Sequence, residues 1–320
     1  VLLNLLFVLV GAALLAFSGD RLVDASTALA RRARVTPAVI GLTVVAAGTS
    51  APELFVSVTA ALRGSPEIAL ANVIGSNIAN VGLILGCCAL LSALPVAPSI
   101  LRREYPIMLL ATLGLLLVCR DGVMDRAEGL FFLACMVAFL GFSIWLARIE
   151  RAVAAEGDAL ESDHEGLLRR SPAALLGLLV GSIAGLGVGA RLLVGGAVSI
   201  ADSLGMSERL IGLTLVAVGT SLPELVASGA AALKGQHGLA VANVMGSNVF
   251  NLLLILGTTA TIQPLRVDPA LLGQDMPTMF AFALLLVPLA LRNRRLGRPG
   301  GVVLLLAYAS YLFLISRGTG

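Results

Sequence analysis

The stretch GLTVVAAGTSAPELFVS, Gly41 to Ser57, recurs as GLTLVAVGTSLPELVAS, Gly212 to Ser228, identical at 12 of 17 positions and displaced by 171 residues. A second block, ALANVIGSNIANVGLILG from Ala69 to Gly86, returns as AVANVMGSNVFNLLLILG from Ala240 to Gly257, identical at 12 of 18 positions with the same offset. The chain is a duplication kept in register without a gap. Each copy of the first block places a helix breaker, Pro52 or Pro223, and one glutamate, Glu53 or Glu224, in the middle of an apolar stretch long enough to cross a bilayer.

With 58% hydrophobic residues, 13% charged residues and a mean hydropathy of +0.97, the 320 residues carry more apolar surface than a soluble domain of that size buries. The bilayer is the expected solvent. Val1 to Phe17 lacks the basic start of a signal peptide and reads as a true span. Cys87, Cys88, Cys119 and Cys135 lie in apolar segments without zinc or disulfide spacing and read as packing residues. Twenty-two basic against 19 acidic residues give a formal charge of +3, with no basic stripe for nucleic acid.

The expected spans are 2–30, 35–62, 67–91, 104–119, 125–148, 172–203, 207–233, 238–260, 276–291 and 300–316. The fold class is an all-α polytopic membrane protein: a first five-helix repeat over 1–149, a polar loop over 150–171, and a second repeat over 172–320. Five spans per repeat is an odd number, so the second repeat enters the membrane from the opposite side and the repeats are inverted. Cytoplasmic loops are enriched in Lys and Arg, and placing the N-terminus outside puts 15 of the 22 basic residues on the inner side. Both termini are therefore expected outside the cytoplasm and the 150–171 loop within it.

An ionisable side chain near the bilayer centre costs ~2.5–3.5 kcal/mol even on lenient scales, so two such glutamates need a reason. The frame suggests one. Pro52 cannot donate to the carbonyl of Gly48, which is expected to free backbone oxygens near Ala47 and Gly48, and Pro223 is expected to act likewise near Val218 and Gly219. Broken backbone at that depth is tolerated where it lines a cavity. Thr49 and Glu53 share a helix face with Ser50 beside them, as do Thr220, Glu224 and Ser221. Asn72, Ser76 and Asn80 form a polar stripe at steps of four, repeated by Asn243, Ser247 and Asn251. Gly75 and Gly246 are expected to admit close helix approach, while Asn77 and Asn248 fit a structural or a ligand role equally. Carboxylate, hydroxyl, amide and carbonyl oxygens form a hard-cation set, suited to calcium or sodium rather than zinc or copper. His164 and His237 are isolated and read as surface residues.

The paired GTSxPEL and GSNxxN blocks resemble the alpha repeats of the calcium/cation antiporters, particularly prokaryotic sodium/calcium exchangers, and the resemblance covers both halves. It implies Glu53 and Glu224 as central calcium ligands assisted by Thr49 and Thr220. It places Ser50, Ser221, Ser76, Ser247 and the carbonyls of Ala47 and Val218 at flanking sodium sites. Many relatives have aspartate at one of the positions held here by Asn80 and Asn251, so this chain brings two carboxylates only, which disfavours potassium-coupled exchange. The implied function is Ca2+/Na+ antiport across the cell membrane, with the ions as substrates, no separate cofactor and no obligate protein partner. The first and sixth spans, with Gly185, Gly187, Gly189, Gly195 and Gly196, are expected to slide across the ligand-bearing core. The same residues are compatible with Ca2+/H+ antiport and, more remotely, with an intramembrane carboxyl protease or a passive channel.

Overall fold

The computed structural model describes residues 2–64, 66–154, 171–204, 219–291 and 294–318. The described residues are mainly helical. In order come α1 (Leu2–Ala33), α2 (Pro37–Thr49), α3 (Ala51–Leu62), α4 (Glu67–Leu91), α5 (Glu104–Val118), α6 (Arg126–Ala154), α7 (Pro172–Ser203), α8 (Leu222–Leu233), α9 (His237–Ile262), α10 (Leu271–Ala290) and α11 (Arg298–Gly318). Helix is found at every expected span, with 207–218 of the seventh lying outside the described residues. Seven of these helices are long and apolar enough to cross a bilayer, eight when the bent pair α2 and α3 counts as one span. Helix α6 continues to Ala154, past the boundary expected at 148, because nothing between Arg148 and Ala154 breaks a helix.

Burial sorts the helices into a centre and a rim. In α9 and α4, 94% and 78% of the most apolar stretch is buried, against 22–33% in α1, α6, α7, α10 and α11. Rim helices therefore present leucines, valines and phenylalanines such as Leu6, Phe131, Val137 and Leu306 outward. That pattern suits lipid as solvent.

Two-residue strands tie the repeats together: β1 (Leu94–Pro95) pairs antiparallel with β4 (Arg295–Leu296), and β2 (Val123–Met124) with β3 (Leu265–Arg266). Each pair takes one strand from either repeat, and the 171-residue offset carries β1 onto β3. Neither half is built to stand apart from the other.

Among the described residues, helices α1 and α7 form the most extensive helix pairing. A Cβ on Gly11 would lie 2.6 Å from the Leu193 nitrogen, one on Gly189 would lie 3.0 Å from the Gly11 carbonyl, and one on Gly196 would lie 2.6 Å from the Asn4 carbonyl. Gly185 likewise meets Ser18. As the numbering rises along α1 it falls along α7, so the two run antiparallel. This corrects the expected use of the glycine surface. Gly185, Gly189 and Gly196 face α1 rather than the core, and Gly187 and Gly195 have nothing within 4 Å among the described residues. Small side chains let backbones touch where hydrophobic driving force is weak in lipid, so α1 and α7 are bound into one unit. Substituting Gly189→Leu should separate that unit and cost ~1–3 kcal/mol as overpacking. Thermal unfolding of the detergent-purified protein should fall by several degrees, with Gly195→Leu unchanged as the control.

Candidate ion-binding site

Proline lacks an N–H and is tolerated in the first turn of a helix, where that group would be unpaired. Accordingly α3 opens with Pro52 in its first turn and α8 with Pro223 in its first turn. Ser50 and Ser221 occupy the two breaks with matching backbones, φ −82° and ψ 4° against φ −88° and ψ 5°. At the first break the axis bends by 42°. The Ser50 N–H donates to the Ala46 carbonyl at 3.0 Å, and a capping N–H reaches the Gly48 carbonyl, so Gly48 is not left free as expected. Ala47 stands just before the break with an exposed side chain, and Val218 lies outside the described residues.

Glu53 and Glu224 thus fall in the first turns of α3 and α8, where the helix dipole favours negative charge. Their exposures are 0% and 1%, and they lie within electrostatic reach of each other. Each carboxylate accepts from one serine. The Ser50 hydroxyl, from the first repeat, donates to Glu224 Oε1 at 3.2 Å, and the Ser76 hydroxyl donates to Glu53 Oε1 at 3.5 Å. Ser76 also lies 3.2 Å from the Ser221 hydroxyl and accepts from Asn251 Nδ2 at 3.3 Å. Thr49 is buried, with its hydroxyl 3.4 Å from the Ala46 carbonyl. Thr220 is half-buried and lines a cleft between α3 and α7.

The asparagines divide into two roles. Asn80 Nδ2 donates to Asn248 Oδ1 at 3.1 Å, and Asn251 Nδ2 donates to Asn77 Oδ1 at 3.0 Å. The 171-residue offset carries one bond onto the other. Asn77 Nδ2 continues to the Asn248 carbonyl at 3.4 Å, and Asn248 Nδ2 to Met108 Sδ at 3.4 Å. Asn77 and Asn248 are therefore brackets that hold Asn80 and Asn251 by their nitrogens, which gives them a structural part in the site. Met108, on α5, is the participant that no motif flagged. Asn72 and Asn243 instead bond Ser57 and Ser228 at 3.1 and 2.9 Å, stapling α4 to α3 and α9 to α8.

What this leaves over is a set of oxygens. Glu53 Oε2, Glu224 Oε2, Asn80 Oδ1, Asn251 Oδ1 and the Ser247 hydroxyl are buried without a hydrogen-bond partner among the described residues. Buried polar atoms are rarely left so, since each unsatisfied one costs ~1–3 kcal/mol. Two related pairs of acceptors, carboxylate and amide, need donors or a cation. Among the described residues no third His, Cys, Asp or Glu joins a ligating cluster. At Asn80 and Asn251 the helices also change pitch, each opening a π-helical stretch, Asn80–Leu85 and Asn251–Leu256. Single π turns recur at functional positions. Gly246 makes the expected close approach, its Cβ position lying 2.5 Å from the Leu42 carbonyl, whereas Gly75 meets nothing within 4 Å among the described residues.

The two related serines make a test, because Ser76 bonds three groups and Ser247 none. In ion-free protein Ser76→Ala should cost ~1–3 kcal/mol by stranding its partners. Ser247→Ala should leave the melting temperature of ion-free protein within a degree or so, as measured by thermal unfolding in chelator.

A family model described as sodium/calcium exchanger protein matches residues 3–145 and 174–317, two segments whose starts differ by 174 − 3 = 171. CaxA of Alkalimonas amylolytica, an antiporter by name, is 42% identical over 316 residues, covering 97% of this chain and 98% of that one. The sodium/calcium exchanger MaX1 of Methanosarcina acetivorans is 32% identical over 343 residues, with 98% of each chain covered. A solved structure of the sodium-calcium exchanger NCX_Mj, soaked with Na+ and Ca2+, superposes with a TM-score of 0.81 at 32% identity, covering 99% of this chain and 98% of that one. This chain belongs to the sodium/calcium exchanger family, a family of membrane transporters and not of enzymes.

Proposed function

We propose that this protein exchanges Ca2+ for Na+ across the cell membrane by alternating access. The observation that carries the reading is the set of buried, unpartnered oxygens on Glu53, Glu224, Asn80 and Asn251. Two carboxylates neutralise one divalent ion, and calcium takes 6–8 oxygen ligands at 2.3–2.6 Å. In this proposal Glu53 and Glu224 hold Ca2+ with Thr49 and Thr220. Ser50, Ser221, Ser76, Ser247, Asn80, Asn251 and the carbonyls of Ala47 and Val218 complete flanking sodium positions. The names of MaX1 and NCX_Mj, and the Na+ and Ca2+ soaked into NCX_Mj, support the choice of ions.

The coupling follows from burial. Two ionised carboxylates without a cation are costly in low dielectric, so the site crosses between its two open states only when loaded. Emptying it of Ca2+ then requires filling it with Na+. The structural frame of the proposal is ten spans in two inverted repeats, 1–149 and 172–320, joined by a cytoplasmic loop over 150–171, with both termini outside the cytoplasm. The antiparallel run of the repeat-related helices α1 and α7 supports the inversion.

The test is calcium uptake into proteoliposomes, driven by an outward sodium gradient in one arm and by an outward proton gradient in the other. Uptake in the sodium arm alone is expected, and uptake in the proton arm alone would replace Na+ by H+ in this reading. Glu53→Gln and Glu224→Gln should each reduce uptake by at least about a hundredfold, because each removes half the charge that matches the ion.

A further inference from the structure

Resting on alternating access as proposed above, we infer that Lys234 with Asp20 and Asp24 forms an ionic latch. It clamps the α1–α7 unit against α8 and biases the transporter toward the state seen in this structure.

Lys234 is the only lysine in the chain. It follows the last residue of α8, and its Nζ lies 2.6 Å from Asp20 Oδ1 and 2.6 Å from Asp24 Oδ1, while donating to the Asp20 carbonyl at 2.9 Å. Asp20 and Asp24 are one turn apart on α1, so both reach the same ammonium. The Asp24 side chain is 11% exposed and that of Lys234 27%, so the pair is partly shielded from solvent. Along the same seam Gly19 packs on α8, its Cβ position 2.7 Å from Val226 Cγ1 and 3.6 Å from Ala230 Cβ. The Lys234 end of the core is shut.

The duplication supplies an internal control. Adding or subtracting 171 carries Lys234 to Arg63, Asp20 to Arg191, Asp24 to Gly195, Gly19 to Ala190 and Val226 to Phe55. At those positions the described residues leave a cleft. Phe55 is 66% exposed and lines, with Pro52, Val56, Ala190 and Arg191, a cleft of about 430 Å³ between α3 and α7. Closing this end as the other is closed would bring Arg191 to Arg63, two cations, with glycine where Asp24 stands in the first repeat. The next carboxylate toward that end of α7, Asp202, lies seven residues beyond Gly195, ~10 Å along the helix. One closure is latched by a cation held between two carboxylates, and the repeat-related closure meets like charge. The ion-binding residues are nearly identical between repeats, and the periphery that sets which end opens is not.

The test uses single cysteines at Val226→Cys and Phe55→Cys in the full chain in proteoliposomes, read as maleimide labelling rate above the background of the native cysteines. Lys234→Met should raise labelling at the Val226 position and lower it at the Phe55 position by roughly threefold to tenfold, the range an ion pair of this exposure supports. Lys234→Arg should restore the original rates. Arg63→Glu, which offers Arg191 a carboxylate at the other end, should shift labelling in the same direction as Lys234→Met with the native latch intact. Unchanged rates at both positions, or a rise at both, would overturn the latch. Labelling needs no transported ion, so a failure of sodium-driven calcium uptake would count against the exchange reading and leave this result standing.

Discussion

Two carboxylates buried within reach of each other, with no basic side chain among the described residues bonded to either, are the constraint around which the remaining structure is arranged. Each costs several kcal/mol to hold in low dielectric unless something positive meets it. The surroundings give partial relief only. Each helix start contributes its dipole, and each carboxylate takes one serine hydroxyl on Oε1. The second oxygen of each stays unpaired. A site finished with internal donors would have no need of an ion, and this one stops short of that.

The amides show how such incompleteness is kept stable. An asparagine free to rotate would present its nitrogen to a neighbouring carboxylate and close the gap with a hydrogen bond. Here Asn77 and Asn248 take the nitrogens of Asn251 and Asn80, each across the repeat boundary, and the carbonyl oxygens are what remains. Because every bracket comes from the opposite repeat, the orientation exists only when both copies are assembled. The exchanged strand pairs β1 with β4 and β2 with β3 impose the same dependence farther out.

Much of this was legible in the sequence, for identifiable reasons. Pro52 and Pro223 break helices by their covalent structure, and glutamate in an apolar span is conspicuous against its surroundings. The helices described at the expected positions followed from hydropathy. The division of labour among the asparagines was not legible, because steps of four place Asn72, Ser76 and Asn80 on one face but say nothing of partners. Those partners lie in the other copy, 168 and 174 residues away for the two amide brackets. The π-helical stretches at Asn80 and Asn251 further shift the face that regular spacing assumes. Met108 gave no signal, since a thioether in an apolar helix reads as packing. Of the α7 glycines, Gly185, Gly189 and Gly196 meet α1 rather than the core, while Gly187 lines the cleft with Pro52 and Pro223. Composition reveals that a backbone is approached closely, and only the fold reveals by what.

The duplication then explains why the two copies agree in one place and differ in another. In the proposed exchange the two inverted repeats need matching ligands, because an ion held between them must see equivalent oxygens as each side opens in turn. The motif residues accordingly repeat, Thr49, Ser50 and Glu53 as Thr220, Ser221 and Glu224. No such demand falls on the surfaces that shut. If they too were identical, the two open states would be related by symmetry and equally populated, whatever the ion. In the proposed latch, Arg191 for Asp20 and Gly195 for Asp24 across the repeat lift that degeneracy without touching a motif residue. A threefold to tenfold bias in population is about 0.7–1.4 kcal/mol, and a partly shielded cluster of charges is of the size to supply it. Divergence is therefore expected to collect at the seams, where it changes the preferred state, and to be purged from the site, where it would change the ion.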